Sequence, residues 1–247
     1  MRAFSTLFKT ELKISLRCMD GIFFGVFIPI GIVLLLGAIY GSKPAFEGST
    51  YTMMQSSFGA FTSVGICATG LMGLPLVLSD YRHKKILKRF KVTPISPSTL
   101  LIIEALLSFL TAVTSAICTA VIAIVVFGYT MPGSVIQFIL SFLLLAITIY
   151  SMGMLIASLS PNIKISNLLC TLLYFPMLLL SGATIPYEIM PKVLQAVANV
   201  FPMTQGIKLL KSTSLGEPVG DMFLQIAIMV VISVVCIAIS IKCFKWE

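Results

Sequence analysis

Long stretches without a charged residue constrain this chain more than any other feature. Five stretches contain no Asp, Glu, Lys or Arg, and they cover residues 21–42, 48–79, 105–163, 165–187 and 222–241. An α-helix rises 1.5 Å per residue, so about 20 apolar residues cross a hydrocarbon layer of about 30 Å. The third stretch is long enough for two crossings and is interrupted by Pro132 and Gly133, which favour a turn. The sequence therefore predicts six membrane-spanning helices.

The composition supports an all-α integral membrane protein made of one domain, residues 1–247. Hydrophobic residues make up 58% of the chain and charged residues 11%, against about 25% charged residues in soluble domains. The predicted spans cover residues 21–40, 55–79, 98–128, 135–159, 165–183 and 222–242. Basic residues precede the first span, as in a signal peptide, but no small-residue cleavage site follows it. We therefore expect that span to be retained.

The distribution of basic residues predicts the orientation of the spans. On one side of the six spans lie 13 Lys and Arg residues, and on the other side only Lys43, Lys192, Lys208 and Lys211. The positive-inside rule places the basic-rich side, with both termini, in the cytoplasm. Topology thus accounts for the net charge of +8, and we expect no nucleic-acid partner.

Two segments outside the spans are predicted to form short helices. In residues 1–20, apolar and basic positions alternate at helical spacing, which favours an amphipathic helix lying in the membrane interface; a disordered tail is the alternative. Residues 184–221 are predicted to form an extracellular cap. Within this cap, residues 193–207 lack charge but are too few to span and are interrupted by Pro202, which favours short interfacial or re-entrant helices.

The cytoplasmic loop 80–97 combines a basic helix with apolar side chains. In helical register Ile86, Leu87 and Phe90 lie on one side, and Pro94 and Pro97 end the helix. Exposed apolar side chains on a loop favour a docking surface for a soluble partner; the alternative is a loop whose charges only set the topology. The candidate docking residues are Tyr81, Arg82, Lys85, Ile86, Leu87, Arg89 and Phe90.

Polar residues within the predicted spans are candidates for a transport pathway. Asn167, Thr171, Tyr174 and Ser181 share one helical face, which predicts either a substrate-lining stripe or hydrogen bonds between helices. Glu104 is the only carboxylate in a predicted span. It is either a functional acid or a side chain that pairs with the basic loop and anchors that loop.

The chain lacks the residue patterns of a metal site and of a nucleotide-binding loop. Its six cysteines are dispersed, and His83 is the only histidine, so no metal or redox site is expected. No glycine is followed by lysine, which excludes the phosphate-binding G-x-x-x-x-G-K-[ST] motif from these residues. We predict that the chain is not an enzyme and binds no cofactor itself.

Two blocks of sequence resemble the permeases of ABC transporter type-2 exporters, which include bacterial drug and polysaccharide exporters. The first block is YRHKKILKRFKVTPISP at residues 81–97. The second is FPMLLLSGATIP at residues 175–186, followed by Met190-Pro191 and by FPMT at residues 201–204. The chain is most similar to the drug-exporter branch, although many relatives carry acidic residues and a Gly-Thr step where His83-Lys84-Lys85 stands here.

The resemblance implies a multi-pass subunit of a bacterial plasma membrane that works as a dimer with a second copy or a paralogue. Two cytoplasmic ATPase subunits would bind ATP and Mg, and would touch the N-terminal helix and the loop 80–97. Their closure would drive alternating access at the dimer interface and export an amphipathic drug, lipid or peptide. The alternatives are an autonomous carrier and an immunity protein that binds a toxic peptide. A carrier usually needs titratable groups near the bilayer midplane, and Glu104 is the only candidate.

Overall fold

The computed structural model describes residues 2–17, 19–40, 43–45, 50–86, 97–185, 187 and 190–243. Nine main helices lie within these residues: α1 (Arg2–Ser15), α2 (Phe23–Tyr40), α3 (Met53–His83), α4 (Pro97–Phe127), α5 (Val135–Leu159), α6 (Ile163–Leu180), α7 (Lys192–Ala198), α8 (Pro202–Leu215) and α9 (Phe223–Cys243). Six of them, α2 to α6 and α9, are long and apolar enough to cross a membrane. The predicted all-α membrane fold with six spans is therefore confirmed.

Successive spans run in opposite directions, which gives the bundle two distinct ends. One end carries α1, the end of α3 and the start of α4, and we call it the α1 face. The opposite end carries α7 and α8, and we call it the distal face. The predicted short helices between the fifth and sixth spans correspond to α7 and α8, and the predicted N-terminal helix corresponds to α1.

The second span is longer than predicted at both ends. It was expected at residues 55–79 and extends over Met53–His83. A capping box stabilises the start of the helix. The Thr52 hydroxyl oxygen accepts a hydrogen bond from the backbone N–H of Gln55, and the Gln55 side-chain oxygen accepts one from the backbone N–H of Thr52. The helix continues past Ser79 as far as His83, because basic residues such as Arg82 and His83 are favoured in the last turn of a helix. It ends before Lys85, which adopts a left-handed backbone with φ of +55°. Tyr81 and Arg82, predicted in a separate loop helix, therefore belong to the last turn of α3.

The fifth span is shorter than predicted at its distal end. It was expected at residues 165–183, whereas α6 extends over Ile163–Leu180. The helix starts earlier because the Asn162 side chain accepts a hydrogen bond from the backbone N–H of Ile165. It stops earlier because Gly182, with φ of +94°, turns the chain into a left-handed conformation. Ser181 thus lies just beyond the helix.

The central helix of the bundle is α3. In its apolar window 78% of the residues are buried, against 22% in each of α2, α4, α6 and α9. Small residues permit this close packing: a Cβ atom added at Gly59 would lie 2.7 Å from Leu210 of α8, and one added at Gly70 would lie 2.6 Å from the Tyr150 ring of α5. These glycines of the second span serve helix packing within the chain.

Helix α8 is surrounded by protein, although only a minority of its residues are strongly apolar. Twelve of its 14 residues are buried, and it packs against α3, α5 and α9. Two of its hydroxyl groups bond to its own backbone: Thr213 donates to the Leu209 carbonyl at 2.9 Å and Ser214 to the Lys211 carbonyl at 2.8 Å. Protein packed around a short helix in this way stabilises it between membrane spans.

Helix α1 packs against the start of α4 through its apolar side. Leu7 is buried against Leu100, Ile103 and Leu107, with Leu12 and Phe8 beside them. Leu16 at the end of the segment is exposed. The amphipathic pattern of α1 therefore has a specific partner in the protein, in addition to any contact with the membrane surface.

Candidate functional site

Three helices meet at the hydroxyl of Tyr81 on the α1 face. The hydroxyl donates a hydrogen bond of 2.6 Å to Oε2 of Glu11 on α1 and lies 3.4 Å from Oε1 of Glu104 on α4. Glu11 and Glu104 are both 7% exposed. We call these three residues the tyrosine–carboxylate cluster. It links α1, the last turn of α3 and the second turn of α4.

The cluster contains two buried carboxyl groups and one phenolic donor. A single O–H can make one strong hydrogen bond, and the distances show that Glu11 receives it. Two carboxylates at such a site repel each other electrostatically. The cluster is therefore a hydrogen-bonded junction with a surplus of negative charge.

Glu104 lies 3.4 Å from the hydroxyl of Tyr81, the second residue of the predicted loop 80–97, and its role as a loop anchor stays a prediction. The contact differs from the expected one, however, because the described partners of Glu104 are a tyrosine and another glutamate rather than a basic side chain. The sequence reasoning missed Glu11. Its signal was its spacing of four residues from Leu7, which places a carboxylate on the apolar side of α1.

Arg82 connects the same turn of α3 to a fourth helix. Its Nη1 atom donates a hydrogen bond of 2.6 Å to the carbonyl oxygen of Ser160, the residue that ends α5. Ser160 is buried, and its own hydroxyl bonds to the Ile156 carbonyl at 2.7 Å. The last turn of α3 is therefore bonded to the turn between α5 and α6 as well as to α1 and α4.

The remaining docking candidates lie at the edge of the described structure. Lys85 is exposed in the turn that ends α3, and Ile86 follows it, half-buried. Leu87, Arg89 and Phe90 lie outside the described residues. The predicted apolar side of the docking helix stays a prediction for this reason.

The polar stripe of the fifth span is divided between different environments. Asn167 is exposed, Thr171 is half-buried, and Tyr174 is buried in the core cluster that includes α3. Ser181 is buried beyond the end of α6, where it lines a cavity on the distal face. Asn167, Thr171 and Tyr174 share one side of α6, and this side is exposed at Asn167 and buried at Tyr174.

Hydroxyl groups at the middle of the bundle bond spans to one another. The hydroxyls of Thr69 in α3 and Tyr150 in α5 lie 3.0 Å apart, and Tyr150 donates to the Ser108 carbonyl of α4 at 3.0 Å. The Ser233 hydroxyl of α9 donates to Thr148 of α5 at 3.0 Å. Such bonds hold spans together in lipid, so these residues serve packing.

Within the described part of the chain, no group of three or more His, Cys, Asp and Glu side chains is placed to hold a metal ion. The cysteines that the structure describes are free and dispersed over the spans. On the α1 face, Glu11, Tyr81, Arg82 and Glu104 provide hydrogen bonds and charge.

Six apolar helices, a buried helix on the distal face and a hydrogen-bonded junction on the α1 face define a multi-pass membrane protein. The sequence model of the ABC-2 type transporter family matches residues 2–215 of this chain. The chain therefore belongs to the ABC-2 type transporter family, and it is a permease-type membrane subunit.

Three relatives carry the name nodulation protein J. The protein from Rhizobium leguminosarum bv. viciae is 33% identical over 90 residues, which cover 36% of this chain and 35% of the relative. The bv. trifolii protein is 33% identical over 94 residues (38% and 36%), and the Neorhizobium galegae protein is 30% identical over 95 residues (38% and 36%). The chain thus matches about a third of the length of these relatives. Their names do not concern drug export, so the assignment to the drug-exporter branch stays a prediction.

Proposed function

We propose that this chain is the membrane permease of an ATP-driven exporter that moves an amphipathic drug, lipid or peptide out of a bacterial cytoplasm. Two cytoplasmic ATPase subunits bind ATP and Mg, and the permease works as a dimer with a second copy or a paralogue. The observation that carries the proposal is membership of the ABC-2 type transporter family over residues 2–215.

The bonds of the last turn of α3 support a coupling role for this region. Tyr81 is bonded to α1 and lies beside Glu104 of α4, and Arg82 is bonded to the end of α5. Force on the loop that follows α3 therefore acts on four helices rather than one. A rigid connection of this kind is what a transporter requires if ATPase closure is to move its spans.

Under the proposed exporter function, the α1 face lies on the cytoplasmic side of the membrane. The basic residues near the ends of α1, α3 and α9 lie on this side, and the positive-inside rule favours their retention there. The distal face, with α7 and α8, is then the outer surface of the plasma membrane. Substrate would pass beside α6, where Asn167 and Thr171 are accessible and Tyr174 and Ser181 line the protein interior.

Affinity purification of the detergent-solubilised chain, followed by mass spectrometry, tests the proposal. We expect a stoichiometric ATPase subunit to accompany the chain. Substitution of Ile86, Leu87 and Phe90 by glutamine should release it, because the apolar contact of the docking surface is lost. Val193→Gln is the matched control, since Val193 is an exposed apolar residue on the distal face.

A chain that purifies without an ATPase and transports in vesicles without ATP would contradict the exporter proposal and favour an autonomous carrier. An ATPase that remains bound to the triple variant would contradict only the docking surface. Loss of the ATPase from the Val193→Gln variant as well would indicate general instability instead of a specific contact.

A further inference from the structure

A cavity of about 280 Å³ opens on the distal face, and six segments of the chain converge on it. The segments are the first turns of α3, the residues after α6, Tyr187, α8, the turn after α8 and Met222 just before α9. We call this cavity the distal pocket. Its lining residues with hydroxyl groups are Ser56, Ser57, Ser181, Tyr187, Thr204 and Ser212.

Two of these hydroxyl groups are buried and have no hydrogen-bond partner among the described residues. They are Oγ of Ser181 and Oγ1 of Thr204, on residues that are 1% and 0% exposed. A buried polar group without a partner is unfavourable because it has lost its hydrogen bonds to water, so such groups normally have a hydrogen-bond partner. Because both residues line the same cavity from different segments, a ligand in the pocket is the natural acceptor or donor for them.

The charged groups of the pocket favour an anion. Lys208 and Lys211 line it, and they are two of only four basic residues predicted on this side of the membrane. The Nζ atom of Lys208 donates to Oδ1 of Asn199 at 2.6 Å and lies 4.4 Å from the centre of the Tyr187 ring. An ammonium has three donors, so this lysine is held in place and retains donors for a ligand.

One carboxylate, Glu217, also lines the pocket. Its Oε2 atom accepts a hydrogen bond of 2.7 Å from the Ser212 hydroxyl. Among the described lining residues, Lys208 lies in the same pocket as this carboxylate, as a cation with its own fixed position. Ala60, Ile207 and Met222 supply an apolar part of the wall, which suits the carbon skeleton of an organic ligand.

We propose that the distal pocket binds a phosphate ester, with the phosphate oxygens at Lys208 and at the hydroxyls of Ser181 and Thr204. Lysines and hydroxyl donors arranged around a cavity match the several acceptor oxygens of a phosphate group. The cavity volume of about 280 Å³ is many times the roughly 10–15 Å³ that one buried water molecule needs. The ester is either the head group of an anionic lipid or a soluble phosphate.

The test is equilibrium binding to the full chain, purified with any subunits that accompany it and placed in phosphatidylcholine nanodiscs. The probes are radiolabelled glycerol 3-phosphate and dihexanoyl phosphatidylglycerol, with glycerol as the uncharged control. We expect saturable binding of one phosphate probe per chain and none of glycerol. Binding of the soluble ester alone identifies a soluble ligand, and binding of the lipid alone identifies a lipid head group.

Variants locate the bound probe. Lys208→Gln and Thr204→Val should each weaken binding about tenfold, because each removes a donor to the phosphate in a partly buried site. Glu217→Gln should strengthen it several-fold, because a repelling charge is removed. Lys192→Gln is the matched control, since Lys192 is an exposed lysine of the distal face outside the pocket, and its binding should equal that of the parent chain.

Two results would overturn the proposal. Absence of saturable binding by both probes would show that the pocket holds water only. Binding that responds equally to Lys192→Gln and Lys208→Gln, or is insensitive to Glu217→Gln, would place the anion elsewhere. The assay contains no ATP and depends on no ATPase, so its failure leaves the exporter proposal untouched.

Discussion

The hydroxyl of Tyr81, on the last turn of α3, donates a 2.6 Å hydrogen bond to the carboxylate of Glu11 on α1. The two residues are 70 positions apart in the chain. Their bond fixes the amphipathic helix to the end of the most deeply buried span. Movement of α1 along the membrane surface is therefore connected directly to the centre of the bundle.

Tyr81→Phe should weaken this junction. The substitution keeps the ring beside Leu7 and Leu100 but removes a bond to a charged acceptor, which contributes about 1.5–3 kcal/mol. We expect a loss of about 2 kcal/mol in the free energy of unfolding, measured by denaturation in mixed micelles, and less transport per ATP hydrolysed. Tyr40→Phe, at an exposed tyrosine on the distal end of α2, should change neither quantity.

Glu104→Gln should leave stability unchanged or raise it. The glutamine keeps the shape of the side chain and removes a negative charge that repels Glu11. A double-mutant cycle with Glu11→Gln measures the interaction between the two positions, and we expect it to be repulsive in the parent chain. A favourable interaction energy, or a loss of more than about 2 kcal/mol in Glu104→Gln alone, would show that Glu104 has a cationic partner after all.

Arg82→Gln should separate the end of α3 from the turn after α5. The guanidinium bond to the Ser160 carbonyl is 2.6 Å long and partly buried, and bonds from charged donors contribute about 1.5–3 kcal/mol. We expect a loss of stability in that range by the same measurement. The control is Lys84→Gln, whose ion pair with Asp80 at 2.7 Å is exposed and contributes about 0–1 kcal/mol. Equal losses in both variants would contradict the structural role of Arg82.

Gly70→Ala should disturb the contact between α3 and α5. Its added methyl group would lie 2.6 Å from the Tyr150 ring and 2.7 Å from Ile149, and overpacking of this kind costs about 1–3 kcal/mol. Gly73→Ala, three residues further along the same helix, meets its nearest atom only at 4.0 Å. We expect thermal unfolding to occur at a lower temperature for Gly70→Ala than for Gly73→Ala. The reverse order would show that α3 and α5 are further apart in the membrane.

The motifs of the sequence identified the family correctly because they combine residue types that are unusual for a membrane protein. The block at residues 81–97 combines basic and apolar residues, and the block at residues 175–186 joins a proline-containing span to a Ser-Gly turn. Single-site roles were harder to predict. Tyr81 is half-buried and its hydroxyl is bonded to Glu11, a contact that the sequence did not indicate, while its part in docking stays a prediction.

The polar stripe shows why a periodic pattern alone did not define a pathway. Helical spacing placed Asn167, Thr171, Tyr174 and Ser181 on one side of a helix, and this is a property of the helix itself. Whether that side faces lipid, a partner or the core depends on the neighbouring helices. The structure places Tyr174 in the core and Asn167 at the surface, and it assigns Ser181 to the distal pocket.

The sequence by itself determined that this protein has six membrane-spanning helices. Burying a charge in lipid is unfavourable, so charged residues are absent from the spans and their spacing marks where the spans lie. It also determined the family, through local motifs. The tertiary structure alone decided that α3 is central, that Glu11 and Glu104 meet at Tyr81, and that two orphan hydroxyls share a cavity with Lys208. Each of these contacts joins residues that are distant in the chain, and the order in which helices pack depends on the complementary shapes of whole side-chain surfaces.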